Sequence, residues 1–354
     1  MKTDDGSVAE LGIPDADIRA LEAWYHANAR DLPWRRRRNG YTALVAESML
    51  QQTQVERVRD RFTAFLRRFP SVAALAEADE QAVLAEWQGL GYYRRARSLH
   101  AAARAVVAEH GGRVPRTASA LRTLPGVGPY TAGAIASIVY GERAAIVDGN
   151  VQRVLARWAG NDAPPNDTAT VKWTWATAGG LVTRCDDPGV FNEALMELGA
   201  TVCTPKTPSC VACPVRGSCV AHRTDRVHEI PPPKTAPPRR TVHFHTCVIR
   251  RGTRVLFEQR PGSGLWSRMW QTPTVEAGTA LAAVDFVSRL PVTISDMTAA
   301  GRFVHQTTHR RVEFHVYTAM SRARRGVWRA ADDLADLPMS NAQRRVLEVG
   351  GVGG

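Results

Sequence analysis

Four of the chain's six cysteines, Cys203, Cys210, Cys213 and Cys219, fall within seventeen residues in the spacing C-x6-C-x2-C-x5-C, while Cys185 and Cys247 stand alone. That spacing is too tightly wound for the two separated knuckles of a zinc ribbon. It suits four thiolates closing on one compact [4Fe-4S] cluster, with zinc as the alternative metal. Pro205, Pro208 and Pro214 shape the loops between them, which four merely buried structural cysteines would not require. Lys206, Arg216, His222 and Arg223 surround the loop and are suited to phosphate.

Two carboxylates have surroundings that separate their chemistry. Glu47 has Leu44 and Leu50 three residues to either side, so on a helix it turns toward the apolar face, where desolvation raises a carboxyl's pKa toward that of a general acid. Asp148 ends an apolar stretch and precedes Gly149 and Asn150 at a helix start, where backbone donors favour its anion. An acid beside a stabilising anion is the arrangement of glycoside cleavage. Read singly, Glu47 is a solvated or paired helix residue and Asp148 a plain N-cap. Between them, Leu124-Pro125-Gly126-Val127-Gly128-Pro129-Tyr130-Thr131 separates two helical segments; its glycines let backbone amides approach a phosphate, although such a turn also serves as a packing device.

The elements that must hold these residues are helical from about Asp17 to Val220, with apolar residues at three- and four-residue spacing. The predicted segments are Ile18–Ala29, Tyr41–Arg57, Asp60–Phe69, Glu80–Trp87, Arg94–Glu109, Ala118–Leu124, Thr131–Tyr140, Val151–Trp158 and Phe191–Gly199. Five prolines within residues 231–240 then mark an extended linker. Beyond it the period becomes two, over Thr241–Arg250, Arg254–Arg260 and Arg311–Ala319, and a helix is expected at Asn341–Val349. The predicted division is a flexible tail 1–15, a helical domain 16–224 containing the metal loop 203–219, a linker 225–240, a mixed α/β domain 241–349 and a tail 350–354.

At 354 residues, with 44% hydrophobic and 23% charged residues, the composition is globular. A net charge of +12 points to a polyanion, with nucleic acid ahead of an anionic membrane surface. No apolar run approaches the roughly 18 residues of a membrane span. The first residues, Met-Lys-Thr-Asp-Asp, carry acids where a signal peptide needs bases, so the expectation is a cytoplasmic protein.

Val45-Ala46-Glu47-Ser48-Met49-Leu50-Gln51-Gln52-Thr53-Gln54-Val55, Trp87-Gln88-Gly89-Leu90-Gly91-Tyr92-Tyr93, Pro129-Tyr130-Thr131-Ala132-Gly133, Val147-Asp148-Gly149-Asn150-Val151, Phe191-Asn192-Glu193-Ala194-Leu195 and the four cysteines together resemble the adenine DNA glycosylase (MutY) family of helix-hairpin-helix glycosylases. The resemblance implies an all-α, two-lobed helix-hairpin-helix domain carrying a [4Fe-4S] loop. It also implies an enzyme that flips adenine mispaired with 8-oxoguanine, or with G, out of duplex DNA and hydrolyses its glycosidic bond. Glu47 would protonate the adenine and Asp148 would stabilise the oxocarbenium-like sugar, electrostatically or by transient attachment. Asn150 would orient Asp148, Glu193 would read the flipped base, and Gln52 and Tyr92 would fill the stack around the lesion pair, their plainer roles being a polar helix face and core packing. Tyr130 occupies the position of a Schiff-base lysine in bifunctional relatives, which implies a monofunctional enzyme. Arg35 follows the family's Leu-Pro-Trp-Arg and, with Gly126 and Gly128, is expected at the DNA; Arg36 to Arg38 extend it as a DNA contact or a solvated face.

The C-terminal domain resembles a smaller α/β Nudix-like fold through Gly264-Leu265-Trp266 and Met269-Trp270-Gln271-Thr272-Pro273. It lacks the acidic metal box, since residues 283–290 read Ala-Val-Asp-Phe-Val-Ser-Arg-Leu, so a recognition module is expected. Where the family's lesion-sensing loop has Phe-Ser-His, this chain has Thr307-Thr308-His309; the hydroxyl and imidazole of Thr308 and His309 are kept and the aromatic is lost. The expected protein is therefore a monomer acting on double-stranded DNA. Its rivals are a related glycosylase for another mismatch or oxidised pyrimidines, and a catalytically silent DNA-binding module.

Overall fold

The computed structural model describes residues 12–233, 239–334 and 337–352. The expected tails 1–15 and 350–354 and the linker 225–240 therefore lie partly outside the described residues. The chain divides into two compact units: one runs up to Glu77 and resumes at Ser98, and the other joins Ala78–Arg97 to the chain beyond the Pro-rich segment.

The helices are α1 (Asp15–Asn28), α2 (Pro33–Arg36), α3 (Gly40–Leu50), α4 (Val55–Arg68), α5 (Val72–Glu77), α6 (Glu80–Glu86), α7 (Arg94–His110), α8 (Ala118–Leu121), α9 (Pro129–Tyr140), α10 (Gly149–Ala159), α11 (Thr168–Val182), α12 (Pro188–Thr201) and α13 (Val220–Arg223). The segment predicted as one helix over Tyr41–Arg57 is instead two, because Gln52 takes a left-handed φ of 55° and ends α3. The residues after the break join the next predicted segment in α4. In the first unit, Ile18, Leu21, Val151, Leu155, Trp158, Leu181, Phe191 and Leu195 form a core against which Cys203, Cys213 and Cys219 pack. Packing continues past residue 224: Val227 and Ile230 are buried with Ala156 and Ala221.

In the second unit the strands are β1 (Arg240–Arg251), β2 (Arg254–Gln259), β3 (Trp270–Gln271), β4 (Thr274–Ala277), β5 (Ser295–Gln306), β6 (Arg310–Met320) and β7 (Val327–Ala330), with α14 (Ala283–Val287) between β4 and β5 and α15 (Asn341–Val349) at the end. The sheet order is β3-β2-β1-β6-β5, with β4 paired to β1 and β7 to β2. The central pair β1 and β6 is parallel, and β1 is covered on both faces. Val242, Phe244 and Val248 join Val346 and Leu347 of α15 on one face, while Cys247 and Ile249 join Phe286 of α14 on the other. Burial on both sides is why β1 reads as a nearly continuous apolar run toward its end. The early segment of this unit is bonded to strand β3 and to the loops beside the sheet: Trp270 Nε1 donates to Gln81 at 3.2 Å, Arg97 donates to the Ser267 carbonyl at 2.8 Å, and Tyr93 donates to the Met339 carbonyl at 3.4 Å.

Candidate active site

Glu47 lies near the end of α3, whose Asn39–Thr42 capping box fixes its start and so its rotation. Its side chain enters a cavity of about 230 Å³ shared with Arg35, Arg38, Tyr130, Asp148, Asn150 and Glu193. The residue is 9% exposed, and its Oε2 is buried without a hydrogen-bond partner among the described residues. Burial pushes the Glu47 carboxyl up to about 7, a hydrogen bond from Tyr130 opposes the rise, and the charges of Glu193 and Asp148 add to it. A carboxyl with this affinity holds its proton through much of the neutral range and can deliver it.

Asp148 caps α10. Its Oδ1 accepts from the Val151 amide at 2.7 Å, and its Oδ2 accepts from the Asn150 side chain at 3.1 Å. These two donors fix the orientation of the carboxylate at the start of α10, beside the cavity. Asn150 is held in turn: its Oδ1 accepts from Arg153 at 2.8 Å, and Arg153 also donates to the Cys203 carbonyl at 2.8 Å. Arg153 thus joins the Asp148–Asn150 cap to the cysteine loop, a link the sequence alone gave no reason to draw. Tyr130 opens α9, and burial holds its phenol protonated; its hydroxyl lies 3.1 Å from the Met196 sulfur.

The basic run after Trp34 divides by position. Arg36 is exposed and pairs with Asp31. Arg35, expected at the DNA, is instead turned inward: it donates to Glu193 at 3.1 Å, to Glu197 at 2.9 Å and to the Arg30 carbonyl at 3.0 Å. Arg38 reaches Glu193 at 2.7 Å. Two cations therefore hold the buried Glu193 carboxylate at the cavity wall, and Glu197, which no motif singles out, anchors Arg30 and Arg35.

Four residues lie outside the cavity. Gln52 and Tyr92 are both exposed and both take left-handed backbone angles, with φ 55° and 46°. Bulky residues rarely hold that conformation without a purpose. In the second unit Thr308 and His309 are exposed on the turn joining β5 and β6. Thr307 locks that turn, since its Oγ1 accepts from the Arg310 amide at 3.0 Å, and the Tyr92 hydroxyl lies 2.5 Å from Thr308 Oγ1.

The hairpin glycines differ in what requires them. Gly126 has φ 75°, and a Cβ there would lie 2.4 Å from the Ser98 Cβ; Gly128 has φ −86°, and nothing lies within 4 Å of its Cβ position. Protein packing explains the first. The second leaves open space above the start of α9, where amides face outward.

Cys203, Cys210, Cys213 and Cys219 line one small cavity with Arg157, Arg216 and His222. Burial and mutual repulsion raise the thiols of Cys210 and Cys219 and push Cys213 up to about 12, so this donor set needs a compensating cation to ionise. Among the described residues, no three of these sulfurs lie within 4.8 Å of one another. Arg157 donates to Cys203 Sγ at 3.4 Å and to the Thr204 carbonyl at 2.8 Å, fixing the loop's first turn. Cys185 and Cys247 are buried away from this loop, each with a free thiol.

Residues 45–175 match the model of the HhH-GPD superfamily base excision DNA repair proteins, and residues 245–349 match that of the NUDIX domain. The chain is 35% identical over 399 residues to an adenine DNA glycosylase of Homo sapiens, covering 93% of this chain and 73% of that one. It is 41% identical over 227 residues to an adenine DNA glycosylase of Mycobacterium tuberculosis, covering 62% of this chain and 70% of that one. Among solved structures, a thermostable thymine-DNA glycosylase aligns with TM-score 0.54 and 30% identity, covering 59% of this chain and 96% of that one. An endonuclease III–DNA covalent intermediate aligns with TM-score 0.50 and 21% identity over 60% of this chain and 99% of that one, which speaks to the fold. No helix among the described residues is long and apolar enough to cross a membrane.

Proposed function

Since the chain belongs to the adenine DNA glycosylase family, we propose that it removes adenine paired with 8-oxoguanine, or with G, from duplex DNA without cutting the strand. The observation that carries this reading is Glu47, a buried carboxyl with an unpartnered oxygen and a pKa near 7, sharing one cavity with the doubly hydrogen-bonded Asp148.

The flipped base enters the cavity with a ring nitrogen toward Glu47. As the bond from sugar carbon to base nitrogen breaks, its electron pair leaves with adenine and the Glu47 proton neutralises it. Positive charge develops on the sugar, and Asp148, held by Val151 and Asn150, lies where a negative charge stabilises it. Water adds to the sugar carbon and its proton returns to Glu47, so adenine and an abasic sugar are the only products. Tyr130 supplies a phenol where Schiff-base chemistry needs an amine, which supports hydrolysis alone.

The Gly126–Gly128 turn and the positive surface contact the phosphates, while Gln52, Tyr92, Thr308 and His309 meet the lesion pair. The four cysteines fit a [4Fe-4S] cluster by donor type and by sequence spacing, and when bound it would supply the charge that lets their thiols ionise and close the loop. Glu47 and Asp148 come from one chain, so a monomer in the compartment that holds the DNA suffices.

Single-turnover base release from duplexes carrying A opposite 8-oxoguanine, G or C, and T opposite G, tests the reading. Release is expected in the order A opposite 8-oxoguanine, A opposite G, A opposite C. Faster release of T than of A would overturn it in favour of the chemistry named for the thymine-DNA glycosylase relative.

A further inference from the structure

The face of the second unit's sheet that packs on α14 carries a cluster outside the base-excision machinery. Parallel pairing of β1 with β6 sets His243 opposite Glu313 and His245 opposite His315. Successive odd-numbered residues share a face, so all four side chains meet on one side. His243 Nδ1 lies 3.2 Å from His315 Nε2 and 3.7 Å from Glu313 Oε2, and the three ligand atoms all fall within 4.8 Å of one another.

Two imidazoles at 3.2 Å could be an ordinary hydrogen-bonded pair. That account leaves unexplained a carboxylate oxygen brought to the same point. Two nitrogen ligands of a tetrahedral zinc, at bonds of about 2.0–2.1 Å, stand roughly 3.3 Å apart, so the rings are already at ligand spacing. We propose that His243, Glu313 and His315 form a site for one divalent ion of the zinc class, with water in the fourth position.

The surroundings hold each ligand in place. Glu313 Oε1 accepts from Arg311 Nε at 3.0 Å, which turns Oε2 toward the histidines. His315 stacks on His245 with ring centroids 4.3 Å apart and planes 2° apart, and the Leu281 amide fixes His245 by donating to its Nε2 at 3.0 Å. Such outer partners set ligand orientation. Two histidines and one carboxylate suit zinc over magnesium or calcium, which prefer oxygen. Arg302, opposite His315 on β5, opposes a cation, and the Glu313 carboxylate offsets it.

The site clips the start of β1 to β6 three residues after the Thr307–Arg310 turn. An ion there would tie the start of β1 to the strand that follows the Thr308–His309 turn. The claim of metal binding does not depend on which base is excised.

The test uses the full-length protein, stripped with a chelator under conditions that retain its iron and then titrated with zinc or cobalt(II). One ion per chain is expected beyond the iron. In the difference spectrum against the cobalt-free protein, which removes the absorption of the iron centre, cobalt should give the bands of a tetrahedral nitrogen–oxygen site with no added thiolate charge-transfer band. His243→Ala should weaken binding at least about a hundredfold, and Glu313→Gln, at a partly exposed position that leaves the core intact, at least about tenfold, against the roughly 10- to 100-fold that even an outer partner contributes. Iron content should not change in either variant. Undiminished zinc binding in Glu313→Gln, absence of binding by the wild type, or a thiolate band that appears only on adding cobalt would overturn the proposal.

Discussion

The Tyr92 hydroxyl and Thr308 Oγ1 stand 2.5 Å apart although 216 residues separate them in the chain. One belongs to a glycine-bounded loop and the other to a hairpin turn of the sheet, and both lie in the same compact unit. The contact makes the exposed tyrosine and the exposed turn a single surface.

Tyr92→Phe and Thr308→Ala should each reduce the preference for A opposite 8-oxoguanine over A opposite G. A hydrogen bond of roughly 0.5–1.5 kcal/mol corresponds to about two- to tenfold. Because the two groups share one contact, the double variant should lose less than the sum of the single losses. Competition between the two substrates reads both numbers, and strict additivity would mean the contact is idle on DNA.

Replacing Glu47 by Gln should change activity and stability in opposite directions. The proton donor is the acid form, so base release should fall as pH rises through about 7. Glu47→Gln should slow release by roughly 10²- to 10⁴-fold while leaving mismatch binding in place. Burial pushes the folded carboxyl up to about 7 from its ordinary 4.5, so the wild-type fold loses stability as pH rises from about 4.5 to about 7 and no more beyond. The Gln variant escapes this loss and should be more stable at pH 8 by on the order of 3 kcal/mol, with the gap closing below pH 4.5. Denaturant unfolding at the two pH values checks the sign.

The two hairpin glycines separate folding from binding. Gly126→Ala meets Ser98 and an unfavourable positive φ, so it should lower the melting temperature. Gly128→Ala should fold normally, because nothing lies near its Cβ, yet weaken binding to undamaged and mismatched duplex alike. Equal melting temperatures for both variants would refute the distinction.

Tyr130→Lys would place an amine near the sugar that Asp148 faces. Borohydride should then trap a covalent DNA adduct in the variant and none in the wild type. Strong strand cleavage by the wild type without added base would overturn the hydrolytic assignment.

Cys210→Ser should give protein of low iron content and reduced solubility, since three thiolates hold a cube poorly. Wild-type protein should be yellow-brown with about four irons per chain. One zinc and no iron in the wild type would end the cluster reading.

The chemistry of the first unit was legible because it is local. Leu44 and Leu50 announce the buried face that carries Glu47, and Asp148 stands in the sequence as a cap beside the Asn150 that holds it. Where structure departs from local pattern, the sequence is silent. The break at Gln52 depends on a backbone angle that no residue type announces. α11 carries Gly179 and Gly180 in its last turn and lacks a strong apolar stripe. β5 hides its period behind register shifts between Ser295 and Thr298 and between Ala299 and Gly301. Glu197 and Arg153 acquire their roles only when helices meet. His243 and His315 are 72 residues apart, and a parallel strand pair alone brings them together.

The second unit begins with residues 78–97, which leave the ribosome long before the sheet they bond to. At roughly 5–20 residues per second, the acceptors of Trp270 and the donors to Ser267 and Met339 wait on the order of ten seconds for their partners. Synthesis order therefore puts the early stretch at risk of mispairing, and a cut in the Pro-rich segment would sever the backbone without freeing either half whole. A fragment ending before residue 240 would keep an orphaned strip of the other unit, with Gln81, Tyr93 and Arg97 stripped of the groups they were built to meet.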